Sequence, residues 1–170
     1  MDKERYELPI SLNYVESWGV REAIREILQN SIDANKNGYY KKIDYDDNTE
    51  VLTITNEGAK LSVSSLVLGG SSKRDMDNQI GHESEGYKLA LVVLLRNGYD
   101  VTIINSDRKW TPLFEFNEKF NSKILTIHSE QIESTSNVSF IIKGITQDVF
   151  KDLYDYFPCM DDNYGETLGM

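Results

Sequence analysis

Four short segments in the second half of the chain constrain its fold most strongly. Each alternates polar and apolar residues or is rich in β-branched residues, and turn-forming residues separate them. A period of two is typical of a strand with one face buried and the other in water. The predicted strands are residues 101–105, 111–116, 122–128 and 138–143. A sheet of this kind needs a second layer to cover its apolar face.

Other parts of the chain supply candidates for that layer. Apolar residues recur with helical spacing over residues 18–35, a helix that Gly38 ends, and residues 85–96 form a second helix with an apolar centre. Residues 42–46 and 51–55 form a hairpin around Asp47 and Asn48, and residues 146–157 form a last amphipathic helix. We therefore predict an α+β fold, a two-layer sandwich of a mixed, mostly antiparallel sheet with helices on one face.

The length of 170 residues fits a single domain, which we place at residues 1–158, followed by a loose tail at 159–170. Residues 57–80, between the hairpin and the second helix, are rich in Gly, Ser, Asn and Asp. Loops of this length are usually functional lids or disordered segments, and we expect a lid here. The last residues are not typical of a natural ending, so the chain is compatible with being the N-terminal part of a longer protein.

Charge and cysteine content restrict the location and the partners of the chain. With 18 Lys and Arg against 28 Asp and Glu, the net charge is −10, which argues against direct binding of duplex DNA. A single cysteine, Cys159, forms no internal disulfide, and the N-terminus lacks an apolar signal segment. No apolar run approaches the roughly 20 residues that span a membrane. We therefore expect a cytoplasmic protein without a membrane partner.

Glu26, Asn30 and Asp33 are the first candidate site, because their spacing places them within roughly 60° of each other on one helical face. Such a trio offers a carboxylate that can deprotonate a water and an amide oxygen that can hold a hard cation. It also offers a second carboxylate that can contact a ligand or bound waters. An ordinary solvated helix face is the alternative, since these residue types are common there.

The surrounding sequence, E-I-L-Q-N-S-I-D-A, resembles the N-box of the GHKL ATPases, the superfamily of gyrase B, Hsp90, MutL and the sensor histidine kinases. The match comprises Glu26, Asn30, Asp33 and Ala34. The resemblance implies a Bergerat-type fold in which Glu26 is the general base and Asn30 coordinates Mg²⁺ against the triphosphate of ATP. Asp33 would lie nearby in the nucleotide pocket. Glu26 favours the gyrase, Hsp90 and MutL branch, because histidine kinases lack this base.

A second motif, V-L-T-I-T-N-E-G-A-K, stands where the family has Asp-x-Gly-x-Gly after a strand. Asn56 replaces the Asp that binds adenine, Gly58 matches the first glycine, and Lys60 replaces the second. A carboxylate only accepts hydrogen bonds, whereas an Asn amide both accepts and donates. Asn56 is therefore compatible with the amino group of adenine or with O6 of guanine. An ordinary turn after a strand is the alternative.

The third motif, I-G-H-E-S-E-G-Y-K-L-A, is similar to the Gly-rich turn that opens the second helix of the family. Gly81 and Gly86 match its glycines, and Ser84 takes the middle position. Such glycines let the backbone approach phosphates, and the helix N-terminus at Gly86 offers free N–H groups. A plain helix cap is the alternative. Tyr87 and Lys88 are further candidate nucleotide-binding residues, although an aromatic residue here is more often in a core or at a cleft edge.

Two further segments carry single candidates. G-G-S-S-K-R-D resembles the lid of the MutL-like members, where Lys73 would bring positive charge to the phosphates, and an exposed loop is the alternative. T-S-N-V-S-F-I-I resembles the late strand that supplies a hydroxyl to adenine through water, and Ser136 is the candidate. His82 and His128 have no partner at zinc-binding spacing, so any metal would be Mg²⁺ held by oxygen.

Together the motifs predict an ATP-binding domain that uses Mg²⁺, hydrolyses ATP slowly and closes its lid around the nucleotide, with a homodimer or a protein partner. Slow turnover is expected because in these relatives a Lys or Arg from a following domain completes the γ-phosphate site, and 170 residues leave no room for it. The alternative is a catalytically silent nucleotide-binding or acidic interaction protein that mimics DNA. The carboxylates available for such mimicry are Asp44, Asp46, Asp47, Glu50, Asp152, Asp155, Asp161 and Asp162.

Overall fold

The computed structural model describes residues 3–36, 40–57, 61 and 81–157, and of residues 30–36, 40, 41, 57 and 81–85 it describes the backbone alone. The strands are β1 (Lys3–Ser11), β2 (Tyr40–Asp46), β3 (Val51–Glu57), β4 (Asp100–Asn105), β5 (Arg108–Asn117), β6 (Ser122–Gln131) and β7 (Asn137–Lys143). The helices are α1 (Val20–Lys36), α2 (Gly81–Arg96) and α3 (Gln147–Tyr156). The strands form one sheet in the order β1-β6-β5-β4-β7-β3-β2.

The predicted α+β class is confirmed, and each predicted helix and strand has a counterpart in the structure. The hairpin β2–β3 pairs Asp46 with Val51, so its turn lies where Asp47 and Asn48 predict it. The hydroxyl of Thr146 accepts a hydrogen bond from the N–H of Val149 and caps α3. The predicted tail, most of the predicted lid and the predicted cap Gly38 lie outside the described residues.

The prediction of a mixed sheet is wrong, because all neighbouring strands of the described sheet are antiparallel. The reason lies in the position of β7. Strands β3 and β4 run in the same direction, since both pair antiparallel with β7, which is inserted between them. The chain segment that includes α2 therefore connects two parallel strands that are not neighbours, and no parallel ladder forms.

Strand β1 has no counterpart among the strands predicted from sequence. It pairs with β6 at one edge of the sheet, and its register shifts between Leu8 and Ser11, around Pro9. Pro9 and the charged residues before it obscure the alternation in which Leu8 and Ile10 are buried. Proline and charge are both tolerated at an edge, because one side of an edge strand needs no ladder hydrogen bonds.

The helices cover one face of the sheet. α1 lies over β2 and β3, α2 lies over β4 and β5, and the two helices pack against each other. The core between the layers is built from the alternating inward residues of the strands and from the apolar sides of both helices. In α3, the ring of Phe150 stacks on that of Tyr45 with centroids 4.2 Å apart, which places this helix beside β2 on the same face. Within the described residues, no helix is long and apolar enough to cross a membrane.

Arg96 fixes the last turn of α2 to the chain that connects β1 with α1. Its guanidinium donates to the carbonyl oxygens of Leu12 and Tyr14, each at 2.9 Å. It also donates to those of Val15 at 3.2 Å and Trp18 at 3.0 Å. One side chain thereby satisfies four carbonyl groups of a segment without regular structure.

The opposite face of the sheet carries a polar network on β1, β5 and β6. Glu115 accepts hydrogen bonds from Arg5 at 3.0 Å and bonds Nε2 of His128 at 2.7 Å. Arg5 also donates to Glu7 at 2.7 Å, and the amide of Asn117 donates to the same carboxylate at 3.0 Å. This network ties the edge strand to the two strands that follow it in the sheet.

Candidate functional site

The second half of α1 lies at the end of the sheet where β3 finishes. α1 ends at Lys36 and the chain enters β2 at Tyr40, which pairs with Glu57, the last residue of β3. Because α1 lies over these two strands, its final turns are close to the level of Glu57 and of Asn56 beside it. The N-box and the second motif therefore meet at one end of the sheet.

The start of α2 lies at the same end. α2 ends at Arg96 and β4 begins at Asp100, so the helix and the strand run in opposite directions. Both are about 20–25 Å long, which places the first turns of α2 over the end of β4 at Asn105. Asn105 and Asn56 both pair with Val138 of β7, one from each side. All three motifs thus lie at one end of the sheet.

Glu26 and Gly86 are in direct contact where α1 and α2 cross. A Cβ added to Gly86 would overlap Oε1 of Glu26 and would lie 3.4 Å from its Cδ. Any side chain at position 86 would therefore displace the carboxylate. One residue of the first motif and one of the third therefore lie together, and the absence of a Cβ at position 86 leaves room for the carboxylate.

The carboxylate of Glu26 remains in contact with solvent. Its side chain is 26% exposed and accepts a hydrogen bond from Nε of Arg25 at 3.3 Å. The guanidinium of Arg25 also lies over the ring of Trp18, 5.3 Å from the ring centre. A partly exposed carboxylate can contact a water molecule and accept a proton from it.

Asn30 and Asp33 follow Glu26 on the helical part of α1, as the N-box requires. Their side chains lie outside the described residues, so the backbone alone places them on the turns after Glu26. Helical spacing puts them on the face that carries Glu26.

Asn56 is buried at the end of β3, on the face that the helices cover. It is 4% exposed, and its Oδ1 has no hydrogen-bond partner among the described residues. A buried acceptor without a donor costs about 1–3 kcal/mol of stability. Such a cost is typical of a group that is satisfied by a ligand or by bound water.

Asn105 is a residue of this region that the sequence did not single out. It is 1% exposed, and its amide forms two hydrogen bonds with Leu61, a residue of the predicted lid. Asparagine at the end of a predicted strand indicates a turn, and no sequence signal distinguishes a turn asparagine from one that binds a distant backbone.

The third motif differs from its prediction in one respect. α2 begins at Gly81, not at Glu85, so Gly86 lies inside the helix and not at its N-terminus. The residues between the two glycines include no proline, and glutamate is a good helix former, so the helix extends back through them. The free N–H groups of α2 therefore belong to its first turn, from Gly81 to Ser84. The side chain of Ser84 lies outside the described residues.

Tyr87 and Lys88 are both fully buried. The ring of Tyr87 packs edge-on against Phe140 of β7, with centroids 6.1 Å apart. Tyr87 is thus a core residue of the helix–sheet interface, in agreement with the alternative that its sequence position suggested. Lys88 brings an amino group into the same layer, where a lysine side chain is rarely found without a partner.

Ser136 lies at the same end of the sheet, because Asn137, the residue that follows it, pairs with Glu57 of β3. Ser136 is exposed in the loop before β7, and its hydroxyl contacts Asn137 at 3.4 Å. On the helix-facing side, the residue beside Asn56 is the buried Val138, which carries no hydroxyl. Gly58 and Lys73 lie outside the described residues.

Of the acidic residues proposed for DNA mimicry, Asp46, Asp47 and Asp152 have hydrogen-bond partners, and Asp161 and Asp162 lie outside the described residues. Asp46 accepts hydrogen bonds from the backbone of the β2–β3 turn, and Asp47 accepts one from Gln147 at 2.8 Å. Asp152 accepts two hydrogen bonds from Arg21, which lowers the pKa of Asp152. All of these hydrogen bonds are exposed, and exposed pairs of this kind contribute little to stability.

A cleft of about 410 Å³ lies at the other end of α1, between the start of that helix, Tyr99 and α3. Its charged groups are Arg21, Glu22, Asp148 and Asp152. Arg21 and Asp152 pair at 2.7 Å, and a hydrogen bond from the N–H of Gly19 lowers the pKa of Glu22. These contacts account for most of the charge in the cleft, which is separate from the three motifs.

Two general observations complete the description. Among the described residues, no group of three or more His, Cys, Asp or Glu side chains is arranged to hold a metal ion. No model of a known protein family matches the chain, and no curated protein matches it significantly, so the GHKL resemblance continues to depend on the three motifs.

Proposed function

We propose that this chain is a nucleotide-binding domain of the GHKL type, which binds ATP with Mg²⁺ and hydrolyses it slowly. The observation that carries the proposal is the contact between Glu26 and Gly86. These residues belong to two motifs that are far apart in the sequence and that the resemblance assigns to one site. A glycine that leaves room for a partly exposed carboxylate on the neighbouring helix supports a site built around that carboxylate.

In the proposed reaction Glu26 is the general base. Its carboxylate orients a water molecule and takes one of its protons while the water oxygen bonds to the γ-phosphorus. The bond from that phosphorus to the leaving oxygen of ADP breaks, and inorganic phosphate is released. The partial exposure of Glu26 supports this role, because water can reach the carboxylate.

The buried acceptor of Asn56 supports recognition of adenine. Its Oδ1 is without a partner among the described residues, and the amino group of adenine is a donor that would satisfy it. The O6 atom of guanine is an acceptor and would require the amide to turn. We therefore infer that adenine is preferred over guanine.

The triphosphate and the metal have candidate partners on the two helices. The free N–H groups from Gly81 to Ser84 are suited to anionic oxygens, because the N-terminus of a helix carries partial positive charge. Asn30, one turn after Glu26, would hold Mg²⁺ through its amide oxygen, and the metal would neutralise charge on the phosphates. These assignments follow from the resemblance and from the backbone positions of the residues.

We infer slow turnover, since Arg25, a cation that contacts Glu26, pairs with the base itself. Relatives of the GHKL type complete the γ-phosphate site with a Lys or Arg from a following domain. We also propose that the nucleotide controls lid closure and the contact with a second copy or a protein partner. The domain would then act as a slow switch.

Calorimetric titration with ATP, ADP and GTP, with and without Mg²⁺, tests the proposal. We expect Mg²⁺-dependent binding of ATP and weaker binding of GTP. Phosphate release should fall about 100-fold or more in Glu26→Gln, since general-base catalysis contributes about 10²–10⁴. Glu22→Gln is the matched control: the amide keeps the acceptor for the N–H of Gly19 on the preceding turn.

Each unfavourable outcome removes a specific part of the proposal. No binding of any nucleotide at millimolar concentration would remove the nucleotide site altogether. Binding of ATP without phosphate release would favour the catalytically silent alternative. Unchanged phosphate release in Glu26→Gln would show that another group is the base.

A further inference from the structure

Asn105 uses both polar groups of its side chain on a single residue outside the sheet. The N–H of Leu61 donates to Oδ1 at 2.9 Å, and Nδ2 donates to the carbonyl oxygen of Leu61 at 2.9 Å. The pair of bonds resembles one step of an antiparallel ladder in which a side chain replaces a strand. Leu61 is thereby fixed in position and orientation.

The position of this contact relates it to Asn56. Val138 pairs with Asn56 on one side and with Asn105 on the other, and directly opposite residues point to the same face. Neighbouring strands are about 4.8 Å apart, so the two asparagines are about 10 Å apart on the helix-covered face. Leu61 is anchored on that face and packs against the core.

A pocket for a planar base combines apolar walls with a few polar groups that fix its orientation. Asn56 offers the polar group, and Leu61 is an apolar side chain held at the same sheet end. A wall that is fixed before the ligand arrives loses less conformational entropy on binding. Asn105 supplies this fixation through its two hydrogen bonds with the main chain of Leu61.

We propose that Asn105 is a positioning residue for the nucleotide base. It acts by fixing Leu61, which forms an apolar wall of the base pocket beside the acceptor of Asn56. This inference rests on the proposed function, because it assumes a base at Asn56. It adds a specific division of roles: Asn56 selects the base, Leu61 covers one side of it, and Asn105 holds Leu61 in place.

The test compares binding of ATP with binding of inorganic tripolyphosphate, both with Mg²⁺, in three variants. Asn105→Leu removes the anchor at similar volume, and Leu61→Ala shortens the wall but keeps the main-chain groups that Asn105 binds. Asn117→Leu is the control, since Asn117 is also a strand asparagine with a side-chain hydrogen bond, on the other face. We expect the first two to weaken ATP about tenfold and to leave tripolyphosphate unchanged, because only ATP has a base. The control should leave both unchanged.

Hydrogen exchange at the amide of Leu61 measures the anchor without any nucleotide. It should accelerate in Asn105→Leu and stay slow in Asn117→Leu, because the amide loses its acceptor in the former alone. If the wild-type protein binds no nucleotide, the proposed function fails. If the Leu61 amide exchanges no faster in Asn105→Leu than in the wild type, Asn105 does not anchor Leu61. If ATP binds equally to wild type and Asn105→Leu, or if tripolyphosphate weakens as much as ATP, the positioning role is overturned. Should Asn105→Leu fail to fold, undiminished ATP binding by Leu61→Ala overturns it.

Discussion

The backbone of Gly86 lies directly against the carboxylate of Glu26, although the two residues are on different helices and far apart in the sequence. The atom that a Cβ at position 86 would overlap is Oε1, at the far end of a flexible side chain. A larger residue at this position would therefore move the carboxylate before it moved either helix. This separates the effect on a reaction at Glu26 from the effect on folding.

Gly86→Ala should lower phosphate release by about tenfold or more while the protein remains folded. The substitution displaces the proposed base by a distance that catalysis does not tolerate. Alanine in a helix interior is favoured over glycine by about 0.5–1 kcal/mol, which offsets the cost of moving the Glu26 side chain. Phosphate release and the free energy of unfolding in urea, measured on the same preparation, check both parts.

Gly19→Ala is the matched control for this substitution. Gly19 also faces a glutamate, but a Cβ there would lie 3.5 Å from Oε1 of Glu22, an ordinary contact. Its phosphate release should equal that of the wild type. A Gly86→Ala variant with wild-type phosphate release would mean that the position of the Glu26 carboxylate does not matter to the reaction.

Asn56→Leu should stabilise the protein and abolish its preference for adenine. Leucine has a similar size and removes a buried acceptor that has no partner among the described residues, which should raise the free energy of unfolding by about 1 kcal/mol. The same change leaves the amino group of adenine without an acceptor, so ATP should bind about tenfold more weakly. Urea unfolding and calorimetric titration measure the two effects.

Asn56→Asp separates the acceptor from the amide. A carboxylate can accept from adenine but cannot donate to O6 of guanine, so ATP binding should persist while GTP binding is lost. If both aspartate and leucine at this position leave ATP affinity unchanged, the base does not contact Asn56.

Regular periodicity explains why most of the fold could be predicted. The alternation of β4 to β7 and the helical spacing of α1 reflect burial on one face, which is a local property of the sequence. Strand β1 could not be found in this way, because Pro9 and four charged residues hide its inward-facing Leu8 and Ile10. Its place at the edge is decided by pairing with β6, from the other end of the chain.

The candidate site likewise contains residues that could be predicted from the sequence and residues that could not. Glu26 and Gly86 were predicted together through motifs, and the structure brings them into contact. Asn105 was not predicted, because its role depends on Leu61, which is 44 residues away in the sequence. The start of α2 was misplaced because glycine is typical both of a turn before a helix and of a close contact within one. Contacts between segments that are far apart in the sequence produce no periodic pattern of apolar residues, so they cannot be predicted from periodicity.

Arg96→Met should destabilise the protein by about 2–4 kcal/mol. The guanidinium binds four carbonyl oxygens between β1 and α1, and a hydrogen bond to a charged group contributes about 1.5–3 kcal/mol. The loss is smaller than the sum of four such bonds, because water can reach some of these carbonyl groups in the variant. Methionine keeps the apolar stem and removes the donors. Arg21→Met is the control, since its partner Asp152 is exposed and the loss should stay below about 1 kcal/mol. Equal losses in the two variants, measured by urea unfolding, would contradict the role of Arg96.

Glu115 should make the stability of the protein depend on pH in the acid range. Partial burial acts to raise the pKa of Glu115, but the hydrogen bonds from His128 and Arg5 outweigh it and lower the pKa below its ordinary value of 4.5. A carboxyl group whose pKa is lower in the folded state stabilises that state fully above the unfolded pKa. The contribution is lost as pH falls below 4.5 and through the folded pKa.

Glu115→Gln should therefore reduce the free energy of unfolding at neutral pH and lose less of it on acidification than the wild type does. The amide keeps an acceptor for Arg5 but carries no charge to attract it, and it does not titrate. Glu118→Gln, in the exposed turn after β5, should retain the steeper acid dependence of the wild type. Urea unfolding at neutral pH and at a pH below 4.5 gives the comparison. Parallel losses in wild type and Glu115→Gln would show that the pairing of Glu115 with Arg5 and His128 contributes nothing to acid sensitivity.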